Sequence, residues 1–329
     1  MGVTNLDILQ LNQLIGGSAG LPATKGKYIF VDYGSGSDGN SGSSPSEAVK
    51  TIAQAYSLAT TNVDDVIVLC GNTTHTLTGM LTVAKNRVHF VGMDGTGGRL
   101  TAQNAKISLG VTTDTDDVAT CLITGTRNSF SNIKFINGNT LNQCLSVVID
   151  NGEGTSIEGC SMVKTAGLDD AGWCNFWMAG DSLTMRNCTL GQSNIPSAVA
   201  HYGIKIDGKT GGATDGTVKE NFLENIYINM SVSTAAAATA CFIKVVDGSA
   251  LNFNNVIKDL NAVNFVQNGT GTIMTDAVLG AATVGGYLHL IRPSFMGCTG
   301  VGAGSGEGIY ISNALAPDAN GGLSIELTD

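Results

Sequence analysis

The chain has 329 residues, enough for one large domain or two ordinary ones, and 43% of them are hydrophobic while only 13% are charged. Its 44 glycines, set among many Ser, Thr and Asn, describe an all-β chain with many tight turns and an uncharged polar surface, not a helical bundle. A net charge of −10 with no Lys/Arg run argues against nucleic acid as a partner, and the lack of an unbroken run of 18 apolar residues argues against a membrane span.

Residues 1–27 read as an N-terminal arm. Leu6, Leu9, Leu14 and Ile15 form one short helical stripe that Gly16, Gly17, Gly20 and Pro22 stop early. A stripe this short does not stand alone in water, so it docks, on its own domain or on a partner. The opening MGVTNLDILQLNQLIGG has no basic n-region and no unbroken apolar h-region, which argues against Sec export. Eight cysteines, at 70, 121, 144, 160, 174, 188, 241 and 298, form no C-x-x-C pair. They read as reduced, buried small hydrophobes in a protein made in a reducing cytoplasm.

The stretch YGSGSDGNSG (33–42) places Gly34, Gly36 and Gly39 in G-x-G-x-x-G spacing after the apolar run YIFVDY. A dinucleotide site needs its helix to begin inside the motif, so that the helix N-terminus meets the pyrophosphate. Here residues 40–45 intervene before the first helix signal, and Asp64 and Asp65 precede the next strand instead of ending it. The glycines therefore make a turn, in which Asp38 and Asn40 suit Asx-type bonding better than metal binding.

A helix follows near 46–60, with Ser46 as its N-cap and Ala48, Val49, Ile52, Ala55, Tyr56 and Ala59 on its buried side. Val66 to Cys70 is a short buried strand. From there a six-residue pattern recurs, apolar–x–Asn/Gly–apolar–x–apolar: FSNIKF (130–135), IEGCSM (157–162), MRNCTL (185–190) and LENIYI (223–228), with looser copies FNNVIK (253–258) and LIRPSF (290–295). Their first residues lie 27, 28, 38, 30 and 37 positions apart, a period that drifts by whole loops while the strand motif stays intact. That is the signature of a solenoid with insertions on its turns. The small third residue suits a strand-to-strand corner in the left-handed region. Cys160 and Cys188, at one motif position, would stack inside, and about ten coils would give a rod roughly 50 Å long. The expected architecture is an all-β, right-handed parallel β-helix over 28–297, with a capping helix, the N-terminal arm and a C-terminal cap or tail over 298–329.

The segment YIFVDYGSGSDGNSGSSPSEAVKTIAQAYSLATTNVDDVIVLCGNTTHTL (28–77) resembles the opening of pectate-lyase-like right-handed β-helix proteins. The resemblance rests on Asp32, Gly36, Asp38, Asn40, Gly42, Lys50, Thr51, Ile52, Ala55, Asp65, Ile67, Leu69 and Gly71. It implies that the helix caps the open end of the solenoid and shields its first coil from edge pairing. It says little about activity, because the fold hosts lyases, hydrolases, adhesins and virus spikes.

Polysaccharide hydrolases on this fold use two or three carboxylates, and the lyases use acidic Ca²⁺ ligands with an Arg or Lys base. Asp114, Asp116 and Asp117, and again Asp169 and Asp170, read as solvated turn acids, with no EF-hand spacing. His75, His89, His201 and His289 are isolated in the sequence, with neither a metal-ligand spacing nor a Ser or Cys motif that suggests a triad. No catalytic residue, cofactor or metal ligand is therefore assigned. Trp173 and Trp177 in GWCNFW would share one side of a strand with Asn175 between them, packed between coils, at a subunit contact or under a sugar. With Leu6, Leu9, Leu14 and Ile15 they are the interaction candidates.

In its combination of features the chain resembles phage-encoded β-helix structural proteins. The resemblance implies a virion protein made in the host cytoplasm, not an enzyme: a capsid decoration or auxiliary head protein that docks on other virion proteins as a homo-oligomer, with a trimer expected. The alternative is a phage tail spike or fibre that binds or cleaves host surface polysaccharide. A bacterial surface adhesin fits less well without an export signal.

Overall fold

The computed structural model describes residues 24–71, 73–93, 105–110, 119–139, 145–165, 171–192, 197, 199–208, 218–246, 251–265, 272–280, 285–302, 308–314, 316–317 and 323–324. The arm residues Leu6, Leu9, Leu14 and Ile15 lie outside them, as do Asp114, Asp116, Asp117, Asp169, Asp170 and Cys144.

The chain winds as a parallel β-helix with three strand positions per coil. In the first sheet ten strands stack in parallel: Tyr28–Val31, Asp65–Cys70, Val88–Met93, Ser129–Ser131, Ser156–Glu158, Thr184–Gly191, Phe222–Met230, Asn252–Asn264, Gly285–Ile291 and Ile309–Ser312. Nine spacings of ~4.8 Å make a stack of roughly 45 Å. The second sheet begins with Thr74–Leu77, Lys106–Leu109, Lys134–Asn137 and Ser161–Lys164; in later coils single long strands run round the corner and serve both sheets. The third comprises Leu81–Val83, Ala119–Ile123, Ser146–Asp150, Trp173–Met178, His201–Ile206, Cys241–Val245 and Val278–Leu279. The parallel ladder reaches Ile309–Ser312, inside the segment assigned from sequence to a cap or tail.

Alternate residues of each strand fill the interior. On the first sheet Ile29, Ile67, Phe90, Phe130, Ile157, Met185, Leu223, Ile257 and Leu290 form one inward ladder, all buried. Phe90 and Phe130 stack with ring centroids 5.0 Å apart. Each such side chain contributes about 1.5–3 kcal/mol by leaving water. Cys160 and Cys188 stand on successive coils, both fully buried. The seven described cysteines are free thiols.

The hexad corners are as expected. Their third residues Asn132, Gly159, Asn187 and Asn225 have φ between 54° and 61°. Asp259 (φ 55°), Arg292 (φ 51°) and Asn313 (φ 52°) continue the column. Short amides tolerate this left-handed region and bond along the stack, as Asn225 Nδ2 does in donating to Asn187 Oδ1 at 2.7 Å. The looser copy FNNVIK is not the fifth hexad. Strand register aligns Ile257 with Leu223, so the fifth hexad is IKDLNA (257–262). Asn255 of FNNVIK serves another corner, where it is buried beside Asn221.

The helix differs from expectation at its start. A 3₁₀ turn occupies Pro45–Glu47, and the α-helix, α1, covers Ile52–Leu58. Its N-cap is Thr51, not Ser46: Thr51 Oγ1 accepts from the Gln54 N–H at 3.1 Å. The reason lies in the glycine loop. Asp38 Oδ1 accepts the Lys50 and Thr51 N–H groups at 2.9 and 2.8 Å, which holds the chain extended until residue 51. Gly36 passes so close to the backbone that a Cβ there would lie 2.5 Å from the Asp32 and Val49 carbonyl oxygens. Ala48, Val49, Ile52, Ala55 and Ala59 are buried, and Tyr56 stacks on Phe90 at 6.3 Å, so α1 lies over the first coil.

Candidate functional site

Trp173, Asn175 and Trp177 alternate along Trp173–Met178 with Phe176 and Met178, which join the interior cluster. Trp173 and Asn175 line one recess, whereas Trp177 packs with Cys174, Ala119, Ile149 and Ala179, so the two indoles do not share one surface. Neither indole presents an open face in the isolated chain: both are 5% exposed. Trp173 stacks on His201 of the next coil, centroids 4.6 Å apart and planes within 10°, with Lys164 Nζ 5.2 Å from its ring centre. Trp177 donates its Nε1–H to the Asp207 carbonyl at 2.9 Å and lies under Lys205 Nζ at 3.4 Å. A narrow recess between these coils is lined by Lys164, Trp173, Asn175, Gln192, His201 and Asn229. Trp173 Nε1 and both amide atoms of buried Asn175 have no hydrogen-bond partner there. The recess thus suits a water-sized polar group rather than a stacked sugar ring.

The ionisable groups divide into buried and surface sets. Asp150 is fully buried, and burial pushes its carboxyl up to about 6, into the range of a general acid. Its Oδ1 is held by Thr155 Oγ1–H at 2.8 Å and the Gly152 N–H at 3.3 Å, and no substrate can reach it. It is the last residue of its strand, and its carboxyl holds the turn that follows. His201 is also buried, which pulls its imidazole down to about 4; its Nδ1–H donates to the Val199 carbonyl at 3.2 Å. His75 is likewise lowered by burial and bonds the Cys70 carbonyl through Nε2. No group of three or more His, Cys, Asp or Glu among the described residues is placed to hold a metal ion.

The isolation of the histidines in sequence does not hold in space for His89. On the outward row of the first sheet, its Nδ1 meets Ser129 Oγ at 2.8 Å and its Nε2 faces Asp64 Oδ1 at 3.4 Å. Arg87 grips that carboxylate with Nε, at 2.8 Å, and with Nη2. His289 on the same row meets Ser312 Oγ at 3.0 Å. Sequence reasoning missed both pairs, because the partners of His89 are 25 and 40 residues away and are neighbours only once the coil register is known.

A second missed feature is an aromatic stripe over the last coils. Phe253, Tyr287 and Tyr310 are 59%, 53% and 51% exposed, and the two tyrosine rings lie 5.7 Å apart. At the corner before the first-sheet strands, earlier coils place Arg127, Gly154, Ser182 and Glu220 at positive φ, residues that water solvates readily. The next coil carries one residue more between the aligned Val218–Leu251 and Phe222–Val256 pairs, and there Phe253 takes φ 50°. Positive φ is a costly conformation for a bulky residue, and here it directs a phenyl ring into solvent.

No protein-family model matches the chain, and no curated protein matches it. Solved structures do. The chain is similar to a pectin methylesterase from Aspergillus niger, with 12% identity, 94% of this chain and 93% of that one covered, and a TM-score of 0.50. It is also similar to the pectin methylesterase PemA from Erwinia chrysanthemi (12% identity, 90% and 92% covered, TM-score 0.43) and to pectate lyase Pel9A (13%, 92% and 82%, 0.48). At such identities the likeness speaks to fold alone. Together with the ten-strand ladder, the likeness to the Aspergillus niger structure shows that the chain has a right-handed parallel β-helix fold.

Proposed function

We propose that this protein is a structural component of a bacteriophage virion, an auxiliary head protein that decorates the capsid by docking and not by catalysis. The observation that carries the reading is the stripe of Phe253, Tyr287 and Tyr310, three large rings held open to solvent on a surface otherwise short of charge. Exposed large aromatics on successive coils suit a surface that meets a partner. The choice of a virion partner follows the sequence resemblance to phage β-helix structural proteins.

The test is binding of the purified chain to particles that lack it. Replacing Phe253, Tyr287 and Tyr310 together by Ser is expected to weaken binding at least tenfold while leaving the circular dichroism of the β-helix unchanged. Undiminished binding removes the stripe from the docking account. Open rings also stack on sugar faces, which favours as second reading a tail spike that binds or cleaves host surface polysaccharide. New reducing ends or unsaturated uronates after incubation with capsular or lipopolysaccharide glycans would replace docking by that reading.

A further inference from the structure

We propose that Ser129 is an activated nucleophile, with His89 as its general base and Asp64 orienting the imidazole, that accepts an acyl or phosphonyl group from an activated ester or fluorophosphonate. The inference stands apart from docking and rests on three hydrogen-bonded side chains of successive coils.

The hydrogen bonds fix the proton inventory. An ionised carboxylate can only accept, so Asp64 Oδ1 takes the Nε2–H of His89 and leaves Nδ1 as an acceptor. Ser129 Oγ–H then donates to Nδ1 at 2.8 Å, the bond through which a base removes the hydroxyl proton. Backbone geometry holds the relay in place: Asp64 and Arg87 both sit at positive φ on corners of the solenoid. The Arg87 guanidinium, and after it the His89 contact, hold the Asp64 carboxyl below its ordinary range, so it stays ionised as the imidazole gains a proton. All three relay side chains are half-buried on an outward row, within reach of a small electrophile.

In the acyl step, Ser129 Oγ bonds to the acyl carbon and its proton passes to His89 Nδ1. The bond from that carbon to the leaving alcohol breaks, and the alcohol departs with the proton. Water, deprotonated at the same Nδ1, then bonds to the acyl carbon as the Ser129 Oγ–carbon bond breaks. Oγ takes back the proton from Nδ1, and the acyl group leaves as a carboxylic acid. With a fluorophosphonate, the Ser129 oxygen–phosphorus bond forms, the phosphorus–fluorine bond breaks and fluoride leaves, giving a stable adduct. The strand amides at Ser129 belong to the parallel ladder and not to an oxyanion pocket, so reactivity is directed to activated electrophiles.

The fold supplies its own control. His289 and Ser312 form a similar pair on the same row at 3.0 Å, with no carboxylate behind the histidine among the described residues. The experiment is a time course of the intact protein with a fluorophosphonate, read by site-resolved mass spectrometry at both serines. Positioned base catalysis contributes on the order of 10²-fold. Ser129 is expected to react faster than Ser312 by about that factor. His89→Gln should bring Ser129 down to the Ser312 rate. Asp64→Asn, which keeps a residue that tolerates positive φ, should give an intermediate rate. Equal rates at the two serines in the unaltered protein, or a Ser129 rate unmoved by His89→Gln, overturn the assignment.

Discussion

At the scale of single residues, Asp150 and His201 oppose each other as pH changes. The Asp150 carboxyl is raised to about 6 by burial, so the folded chain holds that proton more tightly than the unfolded one. Its contribution is greatest below the ordinary carboxylate range and is lost as pH rises toward 6. The His201 imidazole is lowered to about 4, so the unfolded chain binds that proton more tightly. Its contribution is complete above the ordinary imidazole range and is lost as pH falls toward 4. Each shift of about two units corresponds to a few kcal/mol, on the order of 3. Asp150→Asn keeps an acceptor for Thr155 and Gly152 and removes the charge. Thermal melts should show it more stable than the unaltered chain at pH 7.5, with the gain gone near pH 4. His201→Phe keeps a ring against Trp173, and its stability relative to the unaltered chain should rise as pH drops from 7 to 4. A pH-independent difference in either variant would mean that the group does not titrate in that window.

At the scale of elements, the corners carry the fold, and two columns of side chains do different work. The outer column at Asn132, Gly159, Asn187 and Asn225 needs positive φ. Asn187→Gly should therefore be nearly neutral in denaturant unfolding. Asn187→Val should cost about 1–2 kcal/mol, because a branched apolar side chain lacks the polar group that lets Asn tolerate this region. The inner column is buried polar structure. Asn221 Oδ1 accepts the Leu183 N–H at 2.7 Å, and its Nδ2 donates to Asn255 Oδ1 at 2.9 Å. Asn221→Leu takes the acceptor from the Leu183 N–H and the donor from the Gly180 carbonyl, 3.1 Å from Nδ2, at about 1–3 kcal/mol for each. Asn255 Oδ1 keeps the Asn221 backbone N–H at 3.3 Å. A loss under 1 kcal/mol would show that water replaces the amide. These columns also explain what the sequence disclosed. The hexads were legible because the outer corner admits few residue types and marks each coil with Asn or Gly. The fifth copy escaped because Asp259 fills that corner while FNN nearby imitates the pattern. The capping face of α1 was legible from its apolar spacing, but its N-cap was not, since Asp38 fixes it from 13 residues upstream. The Ser129–His89–Asp64 relay left no local motif at all, because the coil register alone assembles it.

At the scale of the molecule, stability accumulates coil by coil, each contacting only its neighbours, so the outward faces are free to vary without unwinding the ladder. The first coil is covered by α1, while the open aromatic rings gather over the coils at the other end. The proposed docking would use the aromatic end, and a repeating lattice offers many equivalent places for it. The most direct measurement is a quantitative mass-spectrometric count of this chain in purified particles. Docking on a capsid lattice predicts tens to hundreds of copies per particle. A handful of copies would place the protein at a tail, and none would contradict the virion role altogether.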